Sequence, residues 1–351
     1  MRVISLKENI SFKSTTTQKV AQNVADVILS YRRPFQGDTL TRSDYSYLSD
    51  NISKRILPSI DKSEPLQIAI VGFSLKSPNK KKVISDIADR AEYETLEHLQ
   101  ELTKNIKSVY PYGSNFRIFA DGRIFVGTIF GSSDDAVTKY VSSNKDILKK
   151  QSQKEIQILS LDDFFEGTNE EKRVMLFSEF PTDKEKIRNM IKTNSFFRTY
   201  YQYMRDFYAK DIHSINPEIS CKKSRQLGNE AAFGVICAAE SYNQFINSLY
   251  KEPFLRLSVH STPIYDTQGK IGIFLNRIKK NLPTPWHSAA VKITDKDGNA
   301  IFLYEKKARL EKAGCYFIPD TDGKGEYYLF PPDKKYDFSK SFKENLMSDF
   351  S

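Results

Sequence analysis

Cysteine, tryptophan and histidine are scarce in this chain of 351 residues, which has three Cys, one Trp and four His. Cys221, Cys237 and Cys315 are odd in number and widely separated. That excludes a disulfide framework and a compact zinc cluster and predicts reduced thiols. No apolar run approaches the roughly 20 residues that a membrane helix needs; the longest, such as Ile68 to Phe73, have the length of a core strand. The opening residues Met1-Arg2-Val3-Ile4-Ser5-Leu6-Lys7 contain no sustained apolar segment and no small-residue cleavage site. No signal peptide is expected, so the expected location is cytoplasmic, without a membrane partner. Neither G-x-G-x-x-G nor G-x-x-x-x-G-K-[ST] occurs, which removes a dinucleotide fingerprint and a P-loop. None of His98, His213, His260 and His287 is followed two residues later by Asp or Glu, and H-E-x-x-H and C-x-x-C are both missing. A metal centre would have to be assembled from distant residues, and none is expected.

What is present is a chain long enough for one large or two ordinary domains with a buried core. Hydrophobic content of 39% with 13% aromatic is that of a soluble globular protein, and the formal net charge is +9. A positive field favours nucleic acid, membrane headgroups or a phosphorylated small substrate alike. The Lys and Arg pairs, such as Arg32-Arg33, Lys222-Lys223 and Lys279-Lys280, are dispersed among acidic residues, which argues against a nucleic-acid partner.

Residues 1 to 16 read as an extended lead-in, and Gln18 to Arg32 as an amphipathic helix with Val20, Val24, Val27 and Ile28 at helical spacing and Thr15 to Thr17 as the cap. Leu66 to Gly72 reads as a buried strand and Ile84 to Val109 as a long helix with Thr95, Leu99, Leu102 and Ile106 on one face. Phe116 to Ala120 and Arg123 to Thr128 are strand-like and meet at Asp121-Gly122, a tight-turn dipeptide. Asp134 to Lys149 is helical, Glu155 to Leu161 returns as a strand, and Asn169 to Tyr250 is mainly helical. Phe254 to His260, Lys270 to Arg277, Ala289 to Thr294 and Ala300 to Tyr304 are strand-like, with Asp297-Gly298 turning between the last two. This order predicts an α/β fold: a mostly parallel, Rossmann-like sheet, a helical middle segment and a C-terminal mixed or antiparallel strand region. The expected divisions are a helical lead-in over 1–33, an α/β core over 34–165, a helical segment over 166–250 and a strand-rich part over 251–351 that completes one catalytic unit.

Three stretches carry candidate chemistry. Phe73 to Asn79 follows the first core strand, where open α/β sheets place ligands. Lys76 there suits an anion, a carboxylate partner or, with a lowered pKa, a base; Ser77 and Asn79 add short polar groups, and a helix-capping loop would use the same residues. In Arg256-Leu257-Ser258-Val259-His260 the alternation puts Arg256, Ser258 and His260 on one face of a strand and Leu255, Leu257 and Val259 on the other, a pattern that a surface strand shares. Thr284-Pro285-Trp286-His287 sets the single Trp beside a His whose ordinary pKa suits proton transfer, or a structural hydrogen bond.

These stretches, together with Pro34-Phe35-Gln36-Gly37-Asp38, Val109-Tyr110-Pro111-Tyr112-Gly113 and Asp121-Gly122-Arg123, occur in an order that resembles the isocyanide synthase, or pyoverdine/dityrosine biosynthesis, family over residues 34 to about 310. Ser74 stands where the family often has Pro, and Tyr112 replaces a common second Pro before Gly113, which changes the two loops; Lys76, Ser77, Pro78 and Asn79 match. The resemblance implies a Rossmann-like core and conversion of an aromatic amino acid's α-amine, that of tyrosine or tryptophan, into an isonitrile. Ribulose 5-phosphate would supply the carbon, and no cofactor, metal or nicotinamide would be needed. It also implies an iron and 2-oxoglutarate oxygenase as a pathway partner. On this reading His260 and His287 share the proton transfers, Lys76 and Arg256 hold the anionic groups, and Asp121 orients the amine or a cation. Ser77, Asn79, Arg123 and Ser258 complete substrate binding, and Trp286 packs on the substrate ring. Two other classes compete: a sugar-phosphate aldolase or transferase with a Schiff base on Lys76, and a basic nucleic-acid-binding protein.

Overall fold

The computed structural model describes residues 4–35, 38–152, 154–264, 269–295, 297–332, 336–337, 340 and 344–345, with side chains from residue 16 onward. Gln36 and Gly37 of the Pro34–Asp38 stretch lie outside the described residues, as do Met1 to Val3.

Helix α1 covers Ile4–Ser30. The expected extended lead-in is therefore helical from Ile4, because no Pro or Gly interrupts residues 4–30 and Thr15 to Thr17 lie inside the ladder rather than capping it. Helix α2, Arg42–Lys62, is an addition to the expected elements; Thr41 and Asp44 form a capping box at its start. Strand β1 is Leu66–Val71, and helix α3 is Arg90–Val109. α3 begins six residues later than Ile84 because Asp89 accepts from the Ala91 N–H while Glu92 reaches back to the Asp89 N–H at 2.9 Å. Strand β2, Ser114–Phe119, helix α4, Asp134–Lys150, and strand β3, Ile156–Leu159, follow. The strand expected over Arg123 to Thr128 is instead a short 3₁₀ turn, Gly122–Phe125. β2 is already paired along both edges, by β1 and β3, so no edge remains for a hairpin partner.

The middle segment holds α5 (Asn169–Glu179), α6 (Lys184–Thr193), α7 (Ser195–Ile215) and α8 (Cys221–Ser248). Strand β4, Leu255–Ser258, and the two-residue β5, Ile271–Gly272, then return to the first sheet. The longer strand expected over Lys270 to Arg277 is cut short because the chain after α1 takes its place: Arg33 N–H donates to the Gly272 carbonyl at 2.8 Å, and Arg32 bridges Ile273. Strands β6 (Ala289–Thr294) and β7 (Ala300–Glu305), helix α9 (Lys307–Lys312), and strands β8 (Tyr316–Ile318) and β9 (Tyr327–Leu329) complete the described elements.

The first sheet is fully parallel in the order β3-β2-β1-β4-β5. Leu66, Ile68, Ile70, Ile118 and Leu257 pack under α1 to α4, while Ala69 and Phe119 face Val235, Tyr242 and Phe245 of α8. Burial on both faces is what a run such as Leu-Gln-Ile-Ala-Ile-Val encodes. The second sheet, β7-β6-β9-β8, is mixed: β6 and β9 are parallel and its other pairs antiparallel. It packs on α3 through Ala91, Ala290 and Tyr304. The chain runs outward from β1 through β2 to β3, then crosses to β4 on the other side. The switch point thus lies between β1 and β4, and ligands of open α/β sheets bind beyond the carboxyl ends of such strands. Among the described residues no helix is long and apolar enough to cross a membrane.

Candidate active site

Beyond Val71 the chain meets the two other candidate stretches. A Cβ on Gly72 would lie 3.0 Å from Val259 Cγ1 and 3.1 Å from the Trp286 ring, so glycine permits this approach. Phe73 adopts φ +56°, a left-handed conformation that is strained for a bulky side chain, and its ring lies 5.3 Å from that of Trp286. The Ser77 N–H donates to the Trp286 carbonyl at 2.8 Å. Trp286 is buried in this junction as part of the main core, which leaves no ring face for a substrate and corrects the stacking role expected of it.

The junction carries His287 to its surface. Thr284-Pro285 starts a short 3₁₀ turn in which the Thr284 hydroxyl lies 3.1 Å from His287 Nδ1, and Phe207 of α7 packs edge-on against the imidazole at 5.3 Å. With Thr284 donating to Nδ1, the neutral ring carries its proton on Nε2. Burial, then the charges of Lys82 and His260, hold the His287 pKa well below 6.5. His260 lies past the end of β4 rather than on its face, so the expected three-residue polar face reduces to Arg256 and Ser258; the Ser258 hydroxyl accepts from the His260 N–H at 3.1 Å. His260 is solvent-exposed, yet the surrounding protein, then Arg33 and Lys270, lower its pKa to about 4. The same surroundings hold both imidazoles in the neutral form, each with a ring-nitrogen lone pair that can accept a hydrogen bond.

Asp121 follows β2 and faces the same region. Burial raises its pKa to about 6, against a hydrogen bond from the Ser74 hydroxyl and the more distant Arg256. A Cβ on Gly122 would fall 1.7 Å from the Ser74 carbonyl oxygen, so only glycine lets the two loops touch there. Arg256 is 5% exposed and donates to Asn243 Oδ1 at 2.7 Å. Burial lowers its pKa to about 10.

Other expected site residues are turned elsewhere. Lys76 is 2% exposed, with Nζ 2.9 Å from Asp89 and 2.6 Å from Glu92, and Tyr140 donates to the same Glu92 carboxylate at 2.9 Å. Burial opposes the Lys76 charge, but Asp89 and Glu92 outweigh it and raise the pKa above its ordinary value. A buried ammonium so paired is engaged by the fold's own carboxylates, which speaks against both the clamp role and the Schiff-base alternative. Arg123 spans Asp134 at 2.9 Å and Asp162 at 2.6 Å and fastens the 3₁₀ turn to α4 and the loop after β3, a structural clamp rather than a substrate contact. Ser77 and Asn79 are buried, and Asn79 Nδ2 donates to Asp211 at 3.1 Å.

Asp211 belongs to α7, an element outside the expected site that packs Phe207 against the His287 ring. It also pairs with Lys82, whose Nζ lies 4.0 Å over the Phe207 ring. Phe196, Tyr200, Tyr203 and Phe207 recur at i, i+4, i+7 and i+11, one face of a helix. Phe196, Tyr200 and Tyr203 are 52%, 43% and 70% exposed, too much for a core stripe. Phe196 meets Phe35 at 5.7 Å, and Tyr200, Asp121 and Asp211 all lie close enough to Tyr208 to help raise its pKa. The spacing is visible in the sequence; the contact of this face with His287 is not.

A family model described as pyoverdine/dityrosine biosynthesis protein matches residues 56–315. The chain belongs to this family. Its relatives include an L-tryptophan isonitrile synthase, AmbI2, of Fischerella ambigua, 28% identical over 74% of this chain and 76% of that protein. An L-tyrosine isonitrile synthase of Xenorhabdus nematophila is 24% identical over 79% of this chain and 83% of its own. The crystal structure of the PvcA protein from Pseudomonas aeruginosa shares the fold with a TM-score of 0.80 at 22% identity, covering 89% of this chain and 100% of that one. The family match spans β1 to β7 and so includes Asp121, His260, His287 and the aromatic face of α7.

Proposed function

We propose that the protein is an isocyanide synthase that converts the α-amine of tyrosine or tryptophan into an isonitrile with ribulose 5-phosphate as carbon donor. The observations that carry this reading are that Asp121 and His260 follow β2 and β4, that the charge of His260 acts on His287 and that of Asp121 on Tyr208 of α7, and that Phe207 of α7 packs on the His287 ring. The relatives' aromatic substrates agree with the aromatic face of α7.

In this reading His287 takes a proton from the substrate ammonium, and the free amine adds to the C2 ketone. Asp121 returns a proton to the departing hydroxyl, so that water leaves and an imine remains. Proton removal from the C1 hydroxyl, shared with His260, then releases C1 as formaldehyde with its bonding pair left on C2; the C3–C5 phosphate fragment departs with the second pair and takes up a proton, leaving C2 on nitrogen as the isonitrile carbon. Phe207 and Tyr200 offer ring surface to the aromatic side chain. Arg256 supplies positive charge for the anionic donor. The product is of the kind that an iron and 2-oxoglutarate oxygenase would consume. The test is incubation of the purified protein with ribulose 5-phosphate and each aromatic amino acid, followed by tetrazine trapping. A trapped isonitrile with tyrosine or tryptophan is expected; none with any aromatic amino acid would end the reading.

A further inference from the structure

Lys80, Lys81 and Lys82 follow one another in the loop between β1 and α3, yet only the first two are exposed; Lys82 is 4% exposed. A lysine is rarely buried unless its ammonium is paired. The Lys82 N–H donates to the Asn79 carbonyl at 2.8 Å, and its own carbonyl accepts from the N–H of Lys307, the first residue of α9, at 3.0 Å. With the backbone tied on both sides, the side chain runs to α7, where Nζ meets the Asp211 carboxylate and lies 4.0 Å from the centre of the Phe207 ring.

Phe207 and Asp211 stand four residues apart and so share one face of α7. The Asp211 carboxylate is divided between two residues of the loop: Oδ2 takes the Lys82 ammonium, and Oδ1 accepts from Asn79 Nδ2 at 3.1 Å. An ammonium over a ring face is attracted by the ring's quadrupole, the more so when it is removed from water. One cation therefore holds both the carboxylate and the ring. That ring also packs on His287, at 5.3 Å and 70°. After burial, Lys82 does most to lower the His287 pKa, ahead of His260, Lys76 and Lys306, so the ammonium lies close to the imidazole itself. An ion pair that only joined the loop to α7 accounts for the Asp211 contact. It does not account for the ammonium's place over the ring that packs on His287.

We infer that Lys82 is a positioning residue of the candidate active site: anchored by Asp211, its ammonium holds the Phe207 ring of α7 against the His287 imidazole. Thr284 orients the imidazole through Nδ1. Phe207 adds a second restraint, which is only as firm as the hold on Phe207 itself. The reaction that this positioning serves rests on the function proposed above; the positioning does not.

The test is NMR of the full chain with its histidines selectively labelled, the His287 ring-proton signals being identified by their loss in H287A. F207A gives their position once the Phe207 ring is gone. K82M is expected to move them at least halfway toward the F207A position. K82R keeps a cation for both the ring and Asp211 and is expected to hold them at the wild-type position. K82M/D211N removes both charges together and serves if K82M fails to fold. In tetrazine trapping, kcat should fall by roughly tenfold or more in K82M and recover in K82R. Signals unmoved in the folded variant, a shift that K82R does not reverse, or a kcat equal in wild type and K82M overturns the proposal. If the signals move as expected while not even the wild type gives isonitrile, the positioning stands and the reaction falls; isonitrile at equal kcat with unmoved signals does the reverse.

Discussion

The Thr284 hydroxyl lies 3.1 Å from Nδ1 of His287, so the turn that presents the imidazole also fixes its orientation. His287→Ala should abolish isonitrile formation while leaving the thermal midpoint within a few degrees, because the ring is partly exposed and fills no core space. Thr284→Val keeps the shape and removes the hydroxyl; losing an orienting partner should lower kcat by roughly 10- to 100-fold. Comparing kcat and melting curves of both variants checks this, and a fully active His287→Ala would remove the residue from the mechanism.

Ser74 donates to Asp121, a bond that the Pro usual at this loop position cannot make. The bond favours the carboxylate, so Ser74→Ala should raise the Asp121 pKa above about 6 and move the corresponding limb of the kcat/KM profile to higher pH. The same residue predicts a stability trend. Its folded pKa is raised above the unfolded value of about 3.9, so its contribution is full below pH 4 and is lost as pH rises through about 6. The loss is roughly 3 kcal/mol at most. Asp121→Asn should flatten that part of the stability curve in urea titrations between pH 4 and 7; an unchanged slope would contradict the burial argument.

Lys76 joins Asp89 and Glu92 under the first turn of α3. Lys76→Met should leave two carboxylates buried without a cation and cost about 3–5 kcal/mol in chemical denaturation. The triple variant K76M/D89N/E92Q should recover much of that loss, because it removes the charges together. If the single variant is as stable as the wild type, the triad does not hold the loop.

The long, strongly patterned elements could be read directly from the chain. β1 advertises itself by an apolar run closed by Gly72, and α4 by Ser133 ahead of its acidic first turn. α2 was missed although Leu48, Ile52, Ile56 and Ile60 lie on one buried face, because Pro58 and many polar residues dilute the periodicity. Arg123 to Thr128 has strand-like residues, but which strand edges are free is a property of the assembled sheet. Lys76 shows the same limit at the site. Its place after a core strand is visible locally, whereas the carboxylates that claim it come from α3, and a one-dimensional reading cannot tell a clamp for substrate from a clamp for the fold. The strand ends and turns that carry Asp121, His260 and His287 were legible. Their surroundings, which set the pKa values, were not.

The aromatic face of α7 should decide which amino acid is accepted. Phe207 touches His287 at 5.3 Å, and Tyr200 lies two turns earlier on the same face, exposed at 43%. Removing a ring that packs on the substrate should cost about 1 kcal/mol or more beyond the lost area. Phe207→Ala should therefore raise KM for the preferred aromatic amino acid by at least fivefold and narrow the margin over aliphatic amino acids. Tyr200→Phe tests the hydroxyl alone: the protein around it raises its pKa although the side chain is exposed, so it is neutral and can only hydrogen-bond or pack. If the ring matters, Tyr200→Phe keeps the KM and Tyr200→Leu raises it. A shift in KM for ribulose 5-phosphate instead, with that for the amino acid unmoved, would mean that the helix lines the sugar's path.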